Sequence, residues 1–220
     1  MVAGTAVHLK EETEYPFRET VKITVTPAAE KAFEIKFRVP GWAKGTTLRV
    51  NGTLTGTAIV PGKFATVRRT WKAGDVVELH FPMKPVVSRW FHQSMAIMRG
   101  PLVFSLSPGE SWVKLRDRGL TADWQVFPRE AWNYALRVDE NSVAQIAVIE
   151  TPIGPRPFTA EGSGVRLLVA GRRVDKWRTE DGVAGPVPEA VQKSSASEEM
   201  LTLIPYGAAK LRVTAFPQLA

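Results

Sequence analysis

The chain has 220 residues and a formal net charge of +7, with 44% hydrophobic and 23% charged residues. These proportions are typical of a globular protein, and the length allows one large domain or two small ones. Because the sequence contains no cysteine, disulfides, thiolate metal sites and a cysteine nucleophile are excluded. No run reaches the roughly 18 apolar residues of a membrane helix, so no membrane partner is expected.

The basic residues are scattered along the chain rather than gathered in one segment. The tightest clusters are the pairs Arg68-Arg69 and Arg172-Arg173. No motif typical of RNA or DNA recognition accompanies them. The pattern therefore indicates a solvated basic surface, and no nucleic-acid partner is expected.

Short strands separated by turns fill the first part of the chain. Val21–Thr26 and Phe33–Val39 alternate apolar and polar residues, which is the period of a half-buried strand. Asn51-Gly52 stands between two strand-like runs and predicts a tight hairpin, because both residues tolerate a positive φ. Three further strands are predicted at Thr46–Val50, Phe64–Trp71 and Val76–Phe81.

The stretch from Ser94 to Leu106 is interpreted as the boundary between two parts of the chain. Two short apolar runs, Met95–Met98 and Leu102–Leu106, are separated by Arg99-Gly-Pro101. Glycine permits unusual backbone angles and proline removes a hydrogen-bond donor, so the triplet predicts a bend, bulge or edge.

After this boundary the sequence is richer in tryptophan, proline and arginine. Gly182–Ser197 is rich in proline, glycine and serine and predicts a long loop. Ser142–Ile149 fits a strand or a short helix, and we favour the strand. The other predicted strands are Asp123–Phe127, Tyr134–Val138, Val165–Ala170, Leu201–Ile204 and Lys210–Phe216.

Roughly a dozen short strands with frequent turns predict an all-β protein. Because one sandwich is usually about 100 residues long, we expect two antiparallel β-sandwich domains, jelly-roll-like, at residues 1–105 and 106–220. One alternative stays open: the final hairpin, residues 200–217, returns to complete the first sandwich. Residues 106–200 would then be an insertion.

No catalytic residue is predicted. Asp123 and Glu130 are the least unsuitable pair of carboxyls for glycoside hydrolysis, but acids beside tryptophan are more often paired with arginine or a backbone N–H. The histidines, His8, His80 and His92, lack metal-binding spacing. We therefore expect neither a metal nor another cofactor.

The aromatic residues suggest carbohydrate binding, because sugars present flat apolar faces to exposed rings. The structural alternative is that a tryptophan belongs to the core. We expect Trp42 and Trp71 to be core or turn-packing residues. A third reading is that Trp90–His92 forms a surface for another domain. The candidate carbohydrate-binding residues form two groups: Trp90, Phe91 and His92 with Arg89, and then Trp112, Trp124 and Trp132.

Several phrases, taken together and in order, resemble the C-terminal part of glycoside hydrolase family 127, the β-L-arabinofuranosidase-like proteins. They include Glu12–Phe17, Phe37–Trp42, Val50-Asn-Gly52, Ile97–Phe104, Trp132–Leu136 and Leu203–Gly207. The resemblance implies the β-sandwich region without the catalytic (α/α)6 barrel. In the family the barrel is expected to carry a cysteine nucleophile and a zinc, so no catalytic residue transfers to this chain.

The resemblance implies a non-catalytic accessory region that supports the catalytic barrel or substrate binding. Two alternatives are a freestanding module that binds plant cell-wall polysaccharide and a glycoside hydrolase whose own site is not located. The expected partners are arabinose- or xylose-containing glycans and an (α/α)6 barrel domain. The first residues show no signal peptide, which leaves the bacterial cytoplasm or export with a removed signal as expectations.

Overall fold

The computed structural model describes residues 1–2, 4–189 and 191–220. It is built mainly from antiparallel strands, with β20 (Gln218–Leu219) paired in parallel, which confirms the all-β prediction. The helical segments among the described residues are the 3₁₀ turns Phe91–Gln93, Val143–Gln145 and Tyr206–Ala208. No helix in this part of the chain is both long and apolar enough to cross a bilayer. The chain divides into two units, Met1–Lys84 and Pro85–Ala220.

In the part of the first unit that the structure describes, seven strands form two sheets. The strands are β1 (Val7–Thr13), β2 (Thr20–Pro27), β3 (Lys31–Arg38), β4 (Thr47–Val50), β5 (Thr53–Leu54), β6 (Phe64–Trp71) and β7 (Asp75–His80). One sheet has the order β1-β2-β7-β4-β5, and β3 pairs with β6 in the other. The alternation in β2 and β3 therefore produces antiparallel strands, as the sequence predicts.

The two sheets of the first unit enclose one shared core. Val25 and Val77 come from the five-stranded sheet, and Phe37, Val67 and Trp71 come from the β3–β6 pair. All five side chains are buried. Two sheets that bury their inner faces against each other form a β-sandwich, which is the architecture expected for this part of the chain.

The Asn51-Gly52 hairpin forms as predicted between β4 and β5. Asn51 and Gly52 have φ values of 50° and 79°, the left-handed region that these residues tolerate. The Asn51 side chain donates to Asp75 at 2.8 Å and accepts from the Val76 amide at 2.8 Å. The turn residue therefore also fixes the start of β7.

The described residues of the second unit form the remaining thirteen strands. They are β8 (Pro85–Arg89), β9 (Met95–Arg99), β10 (Leu102–Leu106), β11 (Glu110–Asp117), β12 (Ala122–Pro128), β13 (Tyr134–Leu136), β14 (Ala147–Glu150), β15 (Val165–Arg173), β16 (Thr179–Glu180), β17 (Val183–Ala184), β18 (Val191–Gln192), β19 (Glu199–Pro205) and β20 (Gln218–Leu219). Ser142–Ile149, predicted as one strand, is divided between a 3₁₀ turn and β14.

Nine of these strands form one sheet in the order β18-β20-β13-β15-β19-β10-β9-β8, with β14 beside β15. Phe104, Leu167 and Leu203 of this sheet are completely buried, as is Phe216. The β11–β12 and β16–β17 pairs form separate two-stranded sheets. The Gly182–Ser197 region contains only the short strands β17 and β18, and its residue 190 lies outside the described residues.

The division after Lys84 differs from the expected boundary at residues 105–106. β9 and β10 pair with each other, and β10 also pairs with β19. In the final hairpin region, β19 lies between β10 and β15. It therefore pairs across the expected boundary with a strand predicted for the first sandwich, and both strands belong to the second unit. Lys210–Phe216 joins the second unit through isolated bridges, Leu106 to Val213 and Met95 to Phe216. Long-range pairing, which no local pattern encodes, sets the boundary.

Candidate functional site

The loop between β8 and β9 carries the first group of candidate residues. Trp90 is 63% exposed and Phe91 is 67% exposed. The Trp90 amide donates to the Ser94 carbonyl at 2.9 Å, and the Ser94 hydroxyl donates to the Phe91 carbonyl at 2.7 Å. His92 and Gln93 have φ values of 55° and 58°, which non-glycine residues seldom adopt. The tight loop therefore holds two aromatic rings in solvent.

Arg89 and His92 hold this loop against the rest of the second unit. Arg89 donates to the Gln218 side chain at 3.0 Å and lies 3.6 Å from a Glu140 oxygen. The Nδ1 atom of His92 lies 2.8 Å from the Val187 carbonyl oxygen. Both side chains thus have structural partners, and their predicted contact with a sugar stays a prediction.

An apolar cleft lies beside Trp90, with a volume of about 180 Å³. It is lined by Trp90, Ala96, Met98, Val103, Thr214 and Ala215. A second cavity, of about 370 Å³, shares Val103 and Thr214 with it. The rest of that cavity is lined by Pro101, Leu102, Tyr206 and Gly207. The Arg-Gly-Pro and Pro-Tyr-Gly phrases of the sequence therefore meet at one surface.

The second group of candidates centres on the hairpin of β11 and β12, here called the tryptophan ribbon. Trp112 lies opposite Val126, and Lys114 lies opposite Trp124. Because opposite residues share a face, both indoles project from the same side of the ribbon. Their ring centroids are 6.0 Å apart at an interplanar angle of 80°. The structure therefore brings two of the predicted tryptophans together.

Trp132 lies in a different setting, against the buried Trp177. Their ring centroids are 5.0 Å apart at 75°, and the Trp177 indole donates to the Gly185 carbonyl at 2.9 Å. Trp132 also lines a cavity of about 480 Å³ whose wall includes Val126 of the ribbon face. The three tryptophans thus lie along one ribbon face and the cavity beside it.

Asp123 and His80, named among the acidic and histidine candidates, each face a charged partner in the structure. Asp123 forms a salt bridge with Arg118, in which Nη2 of Arg118 lies 2.7 Å from Oδ2 of Asp123. His80 faces Glu19 at 3.4 Å. No group of three or more potential metal ligands occurs among the residues that the structure describes. Asp123 therefore serves to close the turn of the ribbon.

Sequence reasoning missed Glu110, which fixes the base of the ribbon. Its carboxylate accepts from the Trp112 indole at 3.0 Å and from the Lys210 and Leu211 amides at 3.1 and 2.9 Å. Partial burial by itself raises the pKa of this carboxyl, but the hydrogen bonds it accepts and the charge of Lys210 hold the pKa below its ordinary value. Its backbone partners, Lys210 and Leu211, lie about 100 residues away, so no local pattern could reveal them.

Replacing Glu110 by glutamine is expected to lower the free energy of unfolding by about 1 kcal/mol at pH 7, since hydrogen bonds to a charged acceptor are stronger than those to a neutral one. The pKa of Glu110 is lower in the folded than in the unfolded state. Ionised Glu110 therefore stabilises the folded state fully at pH values above its unfolded-state pKa of roughly 4.3. That contribution is lost as the pH falls through the lower folded-state value. Urea denaturation at several pH values measures the difference.

Glu130→Gln is the control for this prediction, because it changes an exposed carboxylate near the ribbon. We expect its effect at pH 7 to stay within about 0.5 kcal/mol. A Glu110→Gln difference that grows on acidification would contradict the proposed role of the carboxylate.

Comparison with known proteins finds a family match for the first unit. Residues 1–83 match the family model described as the β-L-arabinofuranosidase, GH127 middle domain. A search of curated proteins found no match to the chain.

Three similar solved structures cover nearly the whole chain. A GH127 β-L-arabinofuranosidase from Geobacillus stearothermophilus T6 is 24% identical with a TM-score of 0.63, covering 99% of this chain and 31% of its own. A glycoside hydrolase is 26% identical with a TM-score of 0.60, covering 97% and 32%. A GH127 β-arabinofuranosidase is 20% identical with a TM-score of 0.64, also covering 97% and 32%.

The chain therefore spans about a third of the length of the structures that it matches. The resemblance in the sequence motifs is confirmed: residues 1–83 match the family model of the GH127 middle domain, and the chain as a whole has a fold similar to about a third of each of these longer structures.

Proposed function

We propose that this chain is a non-catalytic accessory region of a β-L-arabinofuranosidase-like glycoside hydrolase, supporting a catalytic barrel or substrate binding. The observation that carries the proposal is the match of residues 1–83 to the middle-domain family model. The similar solved structures are about three times longer, which leaves room in them for a separate catalytic domain. Their named activity is proposed for the parent assembly rather than for this region alone.

The surface around Trp90 supports a role in packing against a catalytic domain. The Trp90 ring is 63% exposed and borders an apolar cleft beside Met98 and Val103. A sugar site needs convergent polar groups that fix the hydroxyls, whereas an exposed apolar patch is typical of a protein interface. We therefore assign the Trp90 cleft to contact with the barrel rather than to sugar binding.

Two measurements test the accessory role. The purified chain is assayed for hydrolysis of arabinose- and xylose-containing glycans, and we expect no turnover. In parallel, the chain replaces the matching β region of the Geobacillus enzyme, and the chimera is expected to fold and hydrolyse a β-L-arabinofuranoside. Sustained turnover by the chain alone, or a folded but inactive chimera, would contradict the proposal.

Trp90→Ala is expected to reduce the melting temperature and activity of the chimera, because it removes an apolar contact with the barrel. In the isolated chain it should change neither the melting temperature nor retention on arabinan or xylan gels. Phe64→Ala is a matched control, since Phe64 is an aromatic residue with the same 63% exposure in the first unit. Loss of gel retention in Trp90→Ala alone would instead identify a sugar platform.

A second candidate function is carbohydrate binding through the tryptophan ribbon. The observation that favours it is the exposure of Trp112 and Trp124, at 42% and 47%, on one face of a hairpin. Large exposed rings outside a core are uncommon in soluble domains and typically mark a binding surface. Retention of the isolated chain on a glycan affinity gel tests this candidate.

A further inference from the structure

The tryptophan ribbon presents its indoles with little support from a sheet. β11 and β12 pair only with each other among the described strands, whereas the other long strands of the second unit belong to the nine-stranded sheet. A two-stranded hairpin is marginally stable unless one face is covered. Glu110 fastens its base to the Lys210–Leu211 segment. The hydrogen bonds of Glu110 thus hold the hairpin that carries the two exposed rings.

Each exposed indole is accompanied by a cation. The Lys210 ammonium lies 4.9 Å from the Trp112 ring centroid, and the Lys114 ammonium lies 5.6 Å from that of Trp124. Arrangements at these distances are cation–π contacts. The rings and the ammonium groups therefore form one surface that offers both apolar area and positive charge.

The carboxylates nearby leave this positive charge accessible. Glu110 is occupied by backbone amides and the Trp112 indole. Asp117 lies 3.2 Å from the Lys114 ammonium, with both side chains about half or more exposed. Such a surface ion pair is weak, so a ligand carboxylate can compete for Lys114. The chain also carries a net charge of +7, which favours anionic partners in general.

We propose that the ribbon face formed by Trp112, Lys114, Trp124 and Lys210 binds an acidic polysaccharide. The carboxylates of its uronate sugars bind the two ammonium groups, and the apolar faces of the sugar rings pack against the indoles. This inference rests on the carbohydrate-binding candidate above and not on the accessory role. It assigns a ligand class to the ribbon: a glycan chain with repeated negative charges.

The surface and the sequence favour this ligand over a neutral glycan and over nucleic acid. A neutral glycan gains nothing from an ammonium group beside each indole. Nucleic acid is disfavoured because the basic residues are scattered along the chain and accompany no motif typical of RNA or DNA recognition. A uronate chain matches the surface, because it carries charge and apolar ring faces on every unit.

Affinity electrophoresis of the full chain in gels containing polygalacturonate, neutral arabinan, neutral xylan or single-stranded DNA tests the proposal. We expect retardation by polygalacturonate that weakens with added salt. The Lys114→Gln/Lys210→Gln double variant should bind about tenfold more weakly, since each surface charge pair contributes modestly. Trp112→Leu/Trp124→Leu should show a similar loss. Thermal melts establish that each variant is folded.

Lys44→Gln/Lys63→Gln is the matched control, because it removes two exposed charges from the first unit. Its affinity for polygalacturonate should stay within about twofold of the parent chain. An equal loss in this control, or equally strong retardation by DNA, would show general attraction to polyanions and overturn the proposal. Retardation by neutral glycans alone would overturn it while leaving carbohydrate binding intact. No retardation in any gel would reject both, without bearing on the accessory role.

Discussion

Replacing Trp71 by alanine is expected to lower the free energy of unfolding of the first unit by about 3–5 kcal/mol. The side chain is completely buried, and its indole donates to the Phe33 carbonyl at 3.1 Å. The substitution leaves a large cavity between the two sheets and an acceptor without its donor. Since a domain of this kind is stable by only about 5–15 kcal/mol, much of its stability is lost.

Urea denaturation followed by far-UV circular dichroism measures this loss without relying on tryptophan fluorescence. Hydrogen exchange of peptides from residues 1–84 assigns it to the first unit. Trp124→Ala is the control, because Trp124 is 47% exposed and its removal should change stability by less than about 1 kcal/mol. If both tryptophans had equal effects, the distinction between core and surface rings would be wrong.

The strands of the first unit were predictable because their side chains alternate. Val21–Thr26 predicts most of β2, and Phe33–Val39 predicts β3 to within two residues at each end. Each strand faces a core on one side only. Because successive side chains point to opposite faces, apolar and polar residues alternate along the strand. Trp71 is predicted as a core or turn-packing residue because tryptophan is highly buried on average, and the structure places it in the core.

The place where the chain divides was not predictable from local pattern. Met95–Leu106 has the composition of paired strands, but composition does not say which sheet the pair joins. Its pairing with β19, about a hundred residues later, places it in the second unit. Similarly, Lys210–Phe216 alternates like a strand but forms only isolated bridges. Long-range contacts override local propensity in both cases.

The candidate site was predictable in its aromatic residues but not in its charges. Trp112 and Trp124 were singled out because large rings are conspicuous in a sequence. β11 was not predicted, since its two faces are both largely exposed and carry no burial period. Lys210 reaches Trp112 only through the fold, and nothing near it in sequence indicates that contact.

Glu150→Ala is expected to lower the free energy of unfolding of the second unit by about 3 kcal/mol. Arg99 is 4% exposed, and its guanidinium donates to the Glu150 carboxylate at 2.7 Å. Removing the carboxylate takes away a counter-charge 2.7 Å from a buried positive charge, which is costly in a low-dielectric interior. The arginine of the Arg-Gly-Pro phrase thus depends on a partner from β14.

The reverse substitution distinguishes charge burial from simple packing. Arg99→Met removes the buried charge and keeps an apolar stem, while the remaining Glu150 side chain is 40% exposed and stays hydrated. We therefore expect Arg99→Met to cost less than about 1.5 kcal/mol, clearly below Glu150→Ala. Urea denaturation of both variants measures the difference. A larger loss of unfolding free energy in Arg99→Met than in Glu150→Ala would contradict this account. It would show that packing of the arginine stem stabilises this part of the sheet more than neutralisation of the buried charge does.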